Sequence, residues 1–155
     1  MTTAVADANI LLRLADRSAP LHPTARAAVA HLHATGYALR TVPQAAYESW
    51  AVATRPKDKN GLGLSIADCE VELAHALAVF PPLDDNPNLF AEWRSLVGVY
   101  TCHGKVAHDA RYVAAMNTHG LAHLLTFNGT DFSRYPGITV LDPNTLAAAA
   151  AGGTP

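Results

Sequence analysis

The 155-residue sequence lacks the features that mark several specialised protein classes. Its 2 cysteines, at positions 69 and 102, are too few to build a disulfide scaffold of this length. Basic residues are not in excess, since 11 Lys+Arg against 13 Asp+Glu give a net charge of −2, which argues against coating nucleic acid by charge alone. At 50% hydrophobic residues, the chain is also too apolar for a disordered protein.

Long apolar runs and common ligand-binding motifs are missing as well. His, Arg or Pro interrupts every apolar stretch before it reaches the roughly 20 residues of a membrane span, so we expect no membrane association. The N-terminus has no basic region and Asp7 breaks its apolar run, which predicts no secretory signal and a cytoplasmic protein. There is no glycine-rich phosphate-binding loop and no Cys/His spacing typical of zinc.

Short apolar segments alternate with helical patterns along most of the chain. This alternation predicts an α/β fold with a central, mainly parallel sheet covered on both faces. We expect one domain over residues 1–146 and a frayed Ala/Gly-rich tail over 147–155. The predicted strands cover residues 3–6, 37–42, 121–127 and 138–141, and the predicted helices cover residues 9–16, 22–35, 44–54, 66–80, 88–99 and 106–119.

Four acidic residues fall near the carboxyl ends of these strands. Asp7 ends the first strand, Glu48 lies in the helix after the second, Asp109 opens the helix 106–119, and Asp131 follows the strand 121–127. In a parallel sheet these ends meet at one edge, which is where such folds place their ligand sites. Clustered carboxylates raise one another's pKa, and a hard cation such as Mg²⁺ relieves that repulsion.

Each acid also has an ordinary structural explanation. Asp7 can be the N-cap of the helix that follows it, and Glu48 can lie on a solvated helix face. Asp109 can complement a helix dipole, and Asp131 can be a turn residue. The sequence alone leaves these alternatives open for each residue, while their joint placement favours a common site.

Three segments carry a resemblance to a known family. They are ADANILLRL around Asp7, TVPQAAYESWAVATRP with NGLGLS around Glu48, and GKVAHDARYVAAMNTHGLAHLLTFNGTDFSRYPGITVLDP. With these segments the chain resembles the PIN-domain ribonucleases, and among them the VapC-like toxins of VapBC toxin–antitoxin systems, over residues 4–143. The resemblance implies a three-layer α/β/α domain and Mg²⁺-dependent RNA cleavage, with Mn²⁺ able to substitute.

The resemblance also implies roles for individual residues. Asp7 and Asp109 would be the main metal ligands, Glu48 would bind directly or through water and orient the nucleophile, and Asp131 would complete the shell. A metal-activated water would attack phosphorus in line, leaving a 5′-phosphate and a 3′-hydroxyl. Supporting positions in the family pattern fall on Asn9, Thr126 and Asn128.

Partners are implied by the same resemblance. They are an RNA substrate, a small VapB-like antitoxin and a second copy of the chain in a homodimer. Two alternatives stay open, namely a PIN-domain RNA-processing nuclease without an antitoxin and a non-catalytic PIN-like binding module. Phosphatase and receiver domains fit less well, because Asp7-Ala8-Asn9 lacks the second Asp of the former and Lys105 precedes a helix.

Overall fold

A four-stranded sheet forms the centre of the computed structural model, which describes residues 1–152. The strand order is β2-β1-β3-β4, and every pair is parallel. The strands are β1 (Thr3–Ala6), β2 (Ala38–Thr41), β3 (His123–Leu125) and β4 (Thr139–Leu141). The helices are α1 (Ala8–Ala15), α2 (His22–Ala34), α3 (Pro43–Thr54), α4 (Ile66–Val79), α5 (Leu89–Val99), α6 (Val106–Thr118) and α7 (Pro143–Gly152).

The strand β1 is buried on both of its faces. Ala4, Val5 and Ala6 are each 0% exposed, and successive strand residues point to opposite sides of a sheet. Helices therefore cover the sheet on both sides, with α5 packed on α6 and with contacts among α1, α2, α3 and α4. The predicted three-layer α/β/α fold with a parallel sheet is confirmed.

Local signals placed most element boundaries within a few residues. Ser65 caps α4 as its sequence context predicts, because its hydroxyl accepts a hydrogen bond from the Asp68 backbone N–H at 3.0 Å. The predicted strand 121–127 is shorter in the structure, at His123–Leu125. The Thr126 N–H still donates to the Leu141 carbonyl of β4 at 3.3 Å, but the Phe127 N–H donates to the Asn9 side chain instead.

The frayed tail expected from residue 147 differs from the structure. Residues 143–152 form α7, which packs against α2, and Leu146 contacts the main core. The helix is explained by the five consecutive alanines 147–151, because alanine has the highest helix propensity of any residue. Residues 153–155 of that predicted tail lie outside the described residues.

None of the described helices within residues 1–152 combines the length and the apolarity that a membrane span requires.

Candidate active site

Strand register brings Asp7 to the carboxyl edge of the sheet. Ala6 pairs with Leu125 of β3 and with Thr41 of β2, so the residues that follow Ala6 and Leu125 leave the sheet side by side. The Asp7 backbone N–H continues the ladder to the Leu125 carbonyl at 3.3 Å. Asp7 and Thr126 are thus neighbours because β1 and β3 are parallel and in register.

One oxygen of the Asp7 carboxylate is well bonded and the other has no partner. Thr126 Oγ1 donates to Asp7 Oδ2 at 2.5 Å, and Asn9 Nδ2 donates to the same oxygen at 3.3 Å. Asp7 Oδ1 is buried without a hydrogen-bond partner. Asp7 occupies the N-cap position of α1, where its side chain forms no capping hydrogen bond of standard geometry. The backbone N–H groups of Ile10 and Asn9 nevertheless lie close enough to lower its pKa, so the carboxylate still interacts with the start of the helix.

The predicted supporting residues surround Asp7. Asn9 also donates to Thr126 Oγ1 at 3.3 Å and accepts from the Phe127 backbone N–H at 3.3 Å. The Asn128 backbone N–H donates to Thr126 Oγ1 at 3.0 Å, whereas the Asn128 side chain is exposed. Thr126 is therefore the hub of this network, and Asn128 takes part through its backbone.

Glu48 is held on both carboxylate oxygens. Gln44, one helical turn earlier on α3, donates from Nε2 to Glu48 Oε1 at 2.7 Å. The Tyr112 hydroxyl on α6 donates to Glu48 Oε2 at 2.8 Å and accepts from the backbone N–H of Ala8 at 3.3 Å. Tyr112 thus links Glu48 directly to the residue that follows Asp7.

Electrostatic coupling joins the four acids. Burial raises the pKa of Asp7 to about 7, the Thr126 hydrogen bond opposes the rise, and the charge of Glu48 adds to it. Burial also raises the pKa of Asp109, as do the charges of Asp131 and Glu48, against smaller opposing effects of Lys105 and His108. The charge of Glu48 therefore acts on both Asp7 and Asp109, and the charge of Asp131 acts on Asp109.

These acids do not form a closed ligand set. Within residues 1–152, no group of three or more His, Cys, Asp or Glu side chains is arranged to hold a metal ion. Asp131 is exposed and Asp109 is half-buried, so this part of the site is open to solvent. The donor chemistry nevertheless fits a hard cation, because the unpartnered Asp7 Oδ1 and the mutually repelling carboxylates are the oxygens that Mg²⁺ prefers.

Sequence reasoning missed three residues of this site. Tyr112 lies three positions after Asp109, and Gln44 lies four positions before Glu48, which are the spacings of one helix face. Arg111 donates from Nη1 to Gln44 Oε1 at 3.3 Å. The helical spacing was the available signal for Tyr112 and Gln44, whereas Arg111 reaches the site only through a contact between α6 and α3.

Known proteins are similar to this chain in structure. The scan of protein-family models gives no match, and the search of curated proteins finds no relative. A chain of the VapBC2 crystal structure from Rickettsia felis, bound to a DNA fragment from their promoter, has a TM-score of 0.68 at 12% identity, covering 91% of this chain and 98% of that one. This chain has a PIN-like fold.

Two further structures support this PIN-like fold. A chain of a toxin–antitoxin complex from Klebsiella pneumoniae has a TM-score of 0.59 at 23% identity, covering 90% of this chain and 97% of that one. The structure of PAE2754 from Pyrobaculum aerophilum has a TM-score of 0.61 at 22% identity, covering 97% of this chain and 90% of that one. The PIN-like fold thus extends over nearly the whole length of each chain.

Asp7 makes the stability of the metal-free protein depend on pH. The pKa of Asp7 is raised to about 7 in the folded state from 3.8, so between these pH values the folded protein binds a proton that the unfolded chain has lost. The free energy of unfolding therefore falls as pH rises toward 7. We expect Asp7→Asn to raise the melting temperature, measured in EDTA, by several degrees at pH 8 and by less at pH 5. In a protein of this size, 1 kcal/mol in the free energy of unfolding shifts the melting temperature by about 2–4 °C. Thermal unfolding followed by circular dichroism measures both, with Asp58→Asn in an exposed turn as control. Equal shifts of the melting temperature at the two pH values would contradict a raised pKa of Asp7 in the folded state.

The Tyr112 hydroxyl is expected to stabilise the site. Tyr112→Phe leaves the Ala8 N–H and Glu48 Oε2 without this partner, and the loss costs about 1–3 kcal/mol for the buried Ala8 N–H. Urea denaturation measures the loss. Tyr47→Phe, on the exposed side of α3, is the control and should change stability little. A Tyr112→Phe protein as stable as the wild type would show that the hydroxyl is dispensable.

Proposed function

We propose that the protein is a Mg²⁺-dependent endoribonuclease. The observation that carries the proposal is the Asp7 carboxylate, with one oxygen fixed by Thr126 and Asn9 and the other buried without a partner. An unpartnered buried carboxylate oxygen is costly. It is compensated if a cation binds there, and the neighbouring acids Glu48, Asp109 and Asp131 supply further oxygens.

The proposed ligands are the four acids. Asp7 and Asp109 would bind the ion directly, Glu48 directly or through water, and Asp131 through water. A bound Mg²⁺ lowers the pKa of a coordinated water and stabilises negative charge on the phosphate oxygens. Mn²⁺ has similar oxygen preferences and is expected to substitute.

Residues of the chain itself would position these groups. Thr126 and Asn9 hold Asp7 Oδ2 and would leave Oδ1 available to the ion. Gln44 and Tyr112 fix both oxygens of Glu48, which leaves each oxygen a free lone pair to accept a proton from water and to orient that water toward phosphorus. The backbone turn at Asn128 holds the Thr126 hydroxyl in place.

We also propose that the protein is the toxin of a VapBC-type pair, with a small antitoxin as partner, and that it acts in the cytoplasm as a homodimer. A groove of about 600 Å³ between α1, α2 and α4 supports a partner site. Leu14, Val29 and Val79 line it, together with two basic side chains, Arg17 and Arg26, and one acidic side chain, Glu72. An amphipathic helical segment with acidic residues beside its apolar face suits such a groove.

Metal-dependent cleavage should require the proposed acids. We expect Asp7→Asn and Asp109→Asn each to slow RNA cleavage at least about 100-fold, because changes in residues that only support metal ligands already cost 10–100-fold. The measurement is cleavage of a total-RNA substrate with Mg²⁺, with Mn²⁺ and with EDTA. The exposed-turn variant Asp58→Asn should cleave normally. Cleavage that persists in EDTA, or in a folded Asp7→Asn protein, would exclude the proposed mechanism.

The antitoxin proposal is tested at the groove. Val79→Asp places a charge on the wall of the groove at a position 44% exposed, and we expect it to weaken binding of the protein encoded by the adjacent reading frame at least about tenfold, as burial of an unpaired charge would. Calorimetry measures the affinity. Val71→Asp, 52% exposed on the same helix and outside the groove, is the control. A cleaving enzyme that the neighbouring protein neither binds nor inhibits would instead be a processing nuclease without an antitoxin.

A further inference from the structure

A second cavity, of about 470 Å³, opens beside the candidate active site at the beginnings of α5 and α6. It combines apolar and aromatic walls with a few polar side chains, a composition typical of small-molecule subsites. The residues that matter here are Asn86, Phe90, Trp93, His108 and Arg111. None of them was assigned to a site by the sequence.

Two aromatic rings form an exposed platform in this cavity. The Phe90 side chain is 62% exposed, and its ring is stacked on that of Trp93, with centres 6.0 Å apart and planes 18° from parallel. Trp93 is itself fixed, because its Nε1–H donates to the Ala107 carbonyl on α6 at 2.7 Å. The platform is therefore attached to the helix that carries Asp109.

Hydrogen bonds link residues that line this cavity to the acids of the candidate active site. Arg111 lines the cavity and donates to Gln44 Oε1, and Gln44 in turn donates to Glu48. Gln44 also donates to the carbonyl of His108 at 2.8 Å, another lining residue, which directly precedes Asp109. A ligand in this cavity would thus lie beside groups that hold the proposed reacting centre.

Two arginines lie beside the platform. The guanidinium of Arg94 lies 5.8 Å from the centre of the Phe90 ring, and Arg111 lines the cavity. Asp85 pairs with Arg111 at 3.2 Å and offsets part of this charge. Basic groups beside an exposed aromatic ring suit a ligand that has a flat base and a negatively charged backbone.

We propose that this cavity is a subsite for one unpaired nucleobase of single-stranded RNA, which stacks on Phe90 next to the cleavage site. The inference rests on the proposed ribonuclease function and adds to it a binding position for one base outside the acidic cluster. A base can extend the Phe90–Trp93 stack only when it is splayed out of a duplex. The basic side chains would contact the adjoining phosphates.

The test is RNA binding by a protein that does not cut its ligand. The Asp7→Asn protein is titrated, with Mg²⁺ present, against a fluorescent ten-nucleotide RNA of random sequence and against a ten-unit abasic ribose-phosphate chain. Adding Phe90→Ala should weaken RNA binding about 5- to 150-fold, which is the loss of one base–aromatic stack, ~1–3 kcal/mol. It should leave binding of the abasic chain unchanged.

Matched variants separate stacking from general disruption. Phe90→Tyr keeps the aromatic ring and should bind RNA like the parent, whereas Phe90→Leu should behave like Phe90→Ala. Val99→Ala, on the same helix and 70% exposed, should change nothing. Equal affinity of the Phe90→Ala and parent proteins for RNA, or an equal loss on the abasic chain, would overturn the proposal.

Other outcomes are distinguishable. Loss of a dimer in Phe90→Ala with unchanged RNA affinity, measured by light scattering, would assign the face to a second copy of the chain and overturn the subsite. Base-dependent binding by a wild-type protein that shows no metal-dependent cleavage would support the subsite and refute the nuclease. Metal-dependent cleavage with a KM that is insensitive to Phe90→Ala would support the nuclease and refute the subsite.

Discussion

The parallel register between β1 and β3 is the constraint on which the candidate site depends. Pairing of Ala6 with Leu125 forces Asp7 and Thr126 out of the sheet together, at an edge where the surrounding helices exclude water. Asp7 is 6% exposed, and it keeps one hydrogen-bonded and one unpartnered oxygen there. A slip of the register by one residue would send these side chains to opposite faces of the sheet. The β1–β3 register therefore determines that these polar side chains meet in one site.

Much of this arrangement could be predicted from the sequence. Short apolar segments between helices specified the parallel sheet, and the carboxyl ends of its strands indicated where Asp7, Glu48, Asp109 and Asp131 would lie. Ser65 marked the start of α4 by its local chemistry. What could not be predicted is which side chains fasten these acids. Tyr112 reaches both Glu48 and the Ala8 backbone, and contacts that join residues so distant in sequence leave no local pattern. The helix α7 was missed for a different reason, because an alanine run reads equally as a helix and as low-complexity chain.

Charge placement is compatible with the proposed RNA substrate of this slightly acidic protein. With the four site acids set aside, nine acidic residues remain against 11 Lys+Arg, so the rest of the molecule is slightly basic. That excess is too small to hold RNA by counterion release alone. Under the proposed function, recognition would rely on metal, on shape and on a few placed side chains, such as the exposed Phe90 ring beside Arg94.

The Tyr112 hydroxyl braces one part of the acidic cluster and leaves another part free. Glu48 and Asp7 are tied to one another through Tyr112 and the Ala8 backbone, with Gln44 and Thr126 bracing the two ends. Asp131, by contrast, projects from the short turn Gly129–Phe132 and is exposed. Asp7 and Glu48 are thus braced by hydrogen bonds, whereas the exposed Asp131 is not braced in this way. If an ion binds as proposed, Asp7 and Glu48 would set its position, and Asp131 would adapt to its radius.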